Sequence, residues 1–177
     1  MKETLHSRWL VFLPCLFFLF GFLSCSSSNG IDDYFTFNLQ IAQDISLDNS
    51  LFGHQPVTIP ISILIDSSDL AKNGTTMELV KSVKLSSLKL VSGSVSYPFS
   101  KIDTLIFSVQ ADSIGLEVLA RYSGMSDNVS YTNADFARYL KGRNATFIIS
   151  MSTANPPTGQ FSFTVSTINV LTARPKQ

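Results

Sequence analysis

Tyr34-Phe35-Thr36-Phe37-Asn38-Leu39-Gln40-Ile41 alternates polar and apolar side chains without a break. In an extended chain successive side chains point to opposite faces, so this spacing makes a strand with one buried and one solvated face. The same alternation recurs along the sequence. Val57, Ile59, Ile61, Ile63 and Ile65 alternate with Thr58, Pro60, Ser62 and Leu64. Pro60 has no backbone donor, which predicts an edge strand or a bulge there. Val83 and Leu85 are out of phase with Leu88 and Leu90 across Ser86-Ser87, the mark of one inserted residue and hence of a bulge.

Further rows follow at Leu105, Phe107, Val109 and Ala111, and at Leu116, Val118, Ala120 and Tyr122 beyond a turn at residues 112–115. Phe147, Ile149 and Met151 form the next row. Phe161, Phe163 and Val165 form the last, with Ile168 and Val170 resuming it after a second change of phase. Asp69 to Lys72 suits one helical turn. Thr132-Asn133-Ala134-Asp135 resembles a capping box, and Gly142 is placed to end a short helix through Leu140. The expected fold is all-β: an antiparallel β-sandwich of about seven strands with one short helix.

Ahead of the first strand the composition changes. Lys2 and Arg8 precede an apolar run from Trp9 to Leu23, which is followed by Ser24-Cys25 and then Ser26-Ser27-Ser28-Asn29-Gly30. A charged start, a short apolar run and a small residue before the cut define a secretory signal peptide. The run of 15 residues, interrupted by Pro14 and Gly21, is too short for a spanning helix, which needs about 20. The Ser24-Cys25 junction resembles the cleavage box of bacterial lipoproteins. That resemblance implies a signal peptide over 1–24, a Cys25 diacylated on its sulfur, a flexible tether over 25–32, and a single domain over 33–175.

Removing 1–24 leaves 153 residues, enough for one domain with a sizeable core. Eleven basic residues then face twelve acidic ones, which gives no electrostatic case for nucleic acid. Cys15 leaves with the leader and Cys25 carries lipid, so neither a disulfide nor a cysteine metal site is available.

Little in the body carries chemistry. His54 is the only histidine after residue 24 and sits in the turn-like Phe52-Gly53-His54-Gln55-Pro56. No nucleophile elbow, phosphate loop or zinc-helix motif occurs. The acidic clusters at Asp32-Asp33, Asp44 to Asp48 and Asp66 to Asp69 lack the spacing of a calcium loop. Glu117 lies in a strand without an acidic neighbour, and Asp103 and Asp112 are separated by a whole strand. No catalytic residue, metal site or cofactor is expected. Tyr131 and Tyr139, in or near the loop-helix segment, are the candidates for a ligand surface, where aromatic rings would stack on sugars. Sequons at Asn73, Asn128 and Asn144 are read as chance occurrences.

Four stretches carry a wider resemblance: Val57-Thr58-Ile59-Pro60-Ile61, Val80 to Leu88, Lys101-Ile102-Asp103-Thr104-Leu105, and Ala134 to Leu140. With a closing strand ending at Ala173, they resemble small β-sandwich lipoproteins of the Bacteroidota. Their layout is similar to immunoglobulin-like sandwiches of the late-embryogenesis-abundant type 2 kind. The resemblance implies an immunoglobulin-like sandwich and an outer-membrane address, with no activity attached. The expected function is that of a non-enzymatic, lipid-anchored envelope protein, held to the membrane through Cys25 and presenting its loops to a protein or glycan partner. Two alternatives are a glycan-binding or weakly glycan-hydrolysing accessory protein and a subunit of a surface fibre.

Overall fold

The computed structural model describes residues 33–177 apart from 54–55, 63–64, 94–96, 113, 125–127 and 143. The leader over 1–24, the tether over 25–32 with Cys25, and His54 lie outside the described residues. Eight strands form: β1 (Phe35–Leu47), β2 (Val57–Ile61), β3 (Val80–Ser92), β4 (Thr104–Ala111), β5 (Gly115–Ser123), β6 (Asn128–Tyr131), β7 (Thr146–Ser152) and β8 (Phe161–Ala173). Helices α1 (Ser67–Lys72) and α2 (Ala137–Lys141) are each little more than a turn. The strands make two antiparallel sheets, β1-β8-β3 and β2-β7-β4-β5-β6, with one apolar core between them. The expected antiparallel β-sandwich is therefore present.

The order within the sheets is its own. An immunoglobulin-like order would place β1 beside β2. Here β1 pairs with β8 from Phe35↔Ala173 to Leu47↔Phe161, and β2 pairs with β7. Together with the pairing of β4 and β5, this follows the nested winding of a jelly roll, except that β6 joins β5 and leaves β3 at an edge. Alternation fixes which face of a strand is buried but leaves its neighbours open, so topology had to come from the folded chain.

Pro60 lies in β2, and β2 is an edge strand, as its missing donor requires. Ser86 is the extra residue of a bulge on β3, since Leu85 faces Asn169 while Ser87 faces Ile168.

Other positions differ from expectation for identifiable reasons. On β5, Leu119 is an unpaired extra residue opposite the Phe107–Ser108 step, which reverses the phase. Leu119 and Ala120 are both buried in consequence, and Leu116 is left 54% exposed. On β8 the inward row runs unbroken through Thr167 and Asn169 to Leu171 and Ala173, so the second change of phase does not occur. Two polar residues occupy core-facing positions there. Asn169 Nδ2 donates to Thr167 Oγ1 (3.1 Å) and to Leu39 O (3.4 Å), which satisfies them inside the core. β6 was missed because its four residues offer only Val129 and Tyr131 as an apolar row.

α1 is capped by Asp66, whose carboxylate accepts from Ser68 N (2.8 Å). The capping box ahead of α2 does not form. Thr132 instead accepts from Ala134 N (3.3 Å), and Asp135 Oδ1 accepts from both Ala137 N and Val83 N (3.0 Å each). The helix accordingly starts at Ala137, five residues after Thr132.

Candidate functional site

Because all neighbouring strands are antiparallel, the connections sort to two ends. The chain enters β1 at the proximal end, which also carries the described residues of 62–79, 112–114 and 132–145. The described residues of the connections 48–56, 93–103 and 153–160, with Gly124, gather at the distal end.

Aromatic packing sets the distal loops. Phe161, the first residue of β8, is wholly buried and stacks on Phe163 with centroids 5.2 Å apart. Phe52, Tyr97 and Phe99 meet Phe161 edge-on at 6.3, 5.1 and 5.8 Å, and each comes from a distal loop. Edge-to-face contacts of this kind hold rings in defined orientations as well as burying them. Two loops are thereby pinned to one strand end.

A polar web ties the same loops together. Tyr97 Oη lies 2.7 Å from Asn155 O and 2.9 Å from Thr153 Oγ1. Thr153 in turn donates to Lys101 O (2.6 Å) and accepts from Asn155 N (3.1 Å). Asp103 accepts from Ala154 N (2.6 Å), and Asn49 Nδ2 donates to Thr158 O (3.2 Å). Burial pushes the Tyr97 phenol above its ordinary pKa, opposed by the Thr153 hydrogen bond and reinforced by the charge of Asp103. A Cβ at Gly124 would run into Ile102 O, so only glycine lets this turn close. What emerges is a braced platform with Asn49, Leu51, Asn155, Thr158 and Gln160 exposed on it. Such a surface can bind by shape and by hydrogen bonding.

The tyrosines singled out in the sequence lie elsewhere. Tyr139 is 1% exposed and packs α2 into the core. Arg138 donates to its hydroxyl (3.2 Å) and sits over its ring, so no face remains for a sugar. Tyr131 is half-buried, and its hydroxyl accepts from Leu88 N (3.0 Å), bridging the two sheets. Both act as clamps for the segment between β6 and α2, which is the physical reason they form no platform. The distal aromatics escaped sequence reading because residues 52, 97, 99 and 161 meet only through strand order. Tyr97-Pro98-Phe99, two rings about a turn residue between strands, was the one available local signal.

The acidic residues serve local structure. Asp48 and Asp66 are held below their ordinary pKa, first by backbone hydrogen bonds from Ser50 and Ser68. Asp69 pairs with Lys72 at 2.8 Å. Glu117 lies 3.5 Å from Arg138, and Asp103 and Asp112 stand at opposite ends of β4. Of the sequons, Asn73 donates to Asp69 O and Asn144 to Asp112, while the Asn128 side chain lies outside the described residues. Among the described residues no three His, Cys, Asp or Glu side chains gather as a metal site. No described helix is long and apolar enough to cross a membrane. The chain matches no family model, no curated protein and no solved structure.

Proposed function

We propose that this protein is a non-enzymatic, lipid-anchored protein of the cell envelope, attached to the outer membrane through Cys25, whose distal loops engage a protein or glycan partner. One observation carries the reading. The chain enters the sandwich at one end, while the loops braced by Phe161 and Tyr97 lie at the other. A tether joins the sandwich at the end opposite those loops. The leader pattern supplies the attachment, since acyl chains hold a protein in a bilayer by about 0.8 kcal/mol per buried CH₂.

Metabolic labelling with radioactive palmitate tests the anchor. The native chain should take up label and sediment with membranes, and Cys25→Ala should lose both properties. Equal labelling of Cys25→Ala would sink the reading.

A further inference from the structure

The sandwich has four sheet edges, and three are closed. On β3, Val83 N donates to Asp135, Val83 O accepts from Phe136 N (3.0 Å), and Leu88 N donates to Tyr131 Oη. β2 is five residues long and carries Pro60. β6 is four residues long, and the segment after it crosses to β3 through the Lys84–Asp135 bridge. Short strands, proline and covering segments are the usual means of keeping an edge from pairing with another chain.

Among the described residues β1 has none of them. It runs for thirteen residues in unbroken register with β8, without proline, bulge, lysine or arginine. Among the described residues, no hydrogen bond from outside the sheet reaches its backbone. Thr36, Asn38, Gln40, Ala42, Asp44 and Ser46 are exposed on its outer face. Phe35, Phe37 and Ile41, on the inner face, are only half-buried. Unpaired donors and acceptors at strand spacing are complementary to one thing, another extended backbone.

We propose that the occupant is β1 of a second copy, paired antiparallel about Ile41 to give a continuous β3-β8-β1-β1-β8-β3 sheet. In that register all thirteen residues of each strand are used. Phe35 faces Leu47 of the second copy, Phe37 faces Ile45 and Ile41 faces its own equivalent, while Leu39 faces Gln43, the one polar residue of the inner row. Thr36 faces Ser46, Gln40 faces Ala42, and Asn38 faces Asp44 on the outer side. The only charge on the strand, Asp44, therefore never meets its like. A two-fold contact of this kind closes after two copies and makes a dimer, not a filament. It goes beyond the anchored reading and is tested apart from it, in solution.

Sedimentation equilibrium of residues 33–177, a stretch that contains every core residue among those described, reads the pairing directly. A monomer–dimer equilibrium is expected within ~1 µM to ~1 mM, the range of weak specific association. Asn38→Asp would set two like-charge pairs across the axis and weaken dimerisation by about fivefold, while Asn38→Lys would set two attractive pairs and tighten it by a similar factor. Asn38 is exposed, so the monomer's thermal midpoint should hold in both. A monomer throughout that range overturns the proposal. So does a dimer that responds to neither variant, or in the same sense to both.

Discussion

Thr167 and Asn169 show how much rests on single residues. They sit on the inward row of β8, where every neighbour in that row is apolar, and each supplies what the other lacks. Thr167→Val should cost about 1–2 kcal/mol, because it leaves the Asn169 amide short of its nearest acceptor. Thr167→Val combined with Asn169→Leu should recover most of that loss, since removing both partners leaves no unpaired buried group. Urea unfolding of the two single variants and the double variant measures the coupling. The same pair explains a sequence expectation that failed. Polar residues at core positions are indistinguishable, in a pattern of alternation, from a change of phase. Leu119 misled in the opposite way, because its apolar side chain conceals a bulge that the serines at 86 and 87 make plain. Faces were legible wherever polarity followed burial, and were lost at the residues where it did not.

At the scale of elements, strands were easier to read than their neighbours or their loops. β1, β3, β4, β7 and β8 follow from period-two spacing alone, and Pro60 located an edge. The distal platform had no comparable local code, since its parts are brought together by β7, β8 and β4 meeting in space. Its bracing makes a definite expectation. Tyr97→Phe keeps the ring contacts with Phe161 but deletes the hydroxyl that ties the 93–103 loop to Thr153 and Asn155. The cost should be about 1 kcal/mol. Amide exchange should quicken in residues 153–160 and stay unchanged in β1 and β8. Exchange mapped by mass spectrometry distinguishes this from a general loss of stability.

For the molecule as a whole, every buried apolar side chain among the described residues lies between Leu39 and Ala173. The sandwich should therefore unfold as one cooperative unit without residues 1–32. Calorimetry of residues 25–177 and 33–177 should give thermal midpoints within about 3 °C, the shift that 1 kcal/mol produces in a domain of this size. A larger loss in the shorter chain would mean that the tether contributes to the fold. The proposed dimer constrains orientation as well. Antiparallel pairing through β1 puts the proximal end of one copy beside the distal end of the other, so an anchored pair would lie with its strands along the membrane.

The pairing of β1 with β8 also sets the order in which the molecule can assemble. Among the described residues, the strand beginning at Phe35 pairs within the chain with the far end of the sequence, from Phe161 to Ala173. β3 too completes its ladder on β8. Contacts this remote in sequence form slowly, because a long loop must close before any of them adds stability. A growing chain cannot complete the three-stranded sheet until residue 173 has been made, and until then β1 and β3 remain unpaired. The consecutive β4, β5 and β6 can pair earlier, so the sandwich closes last, when β8 reaches both of its partners.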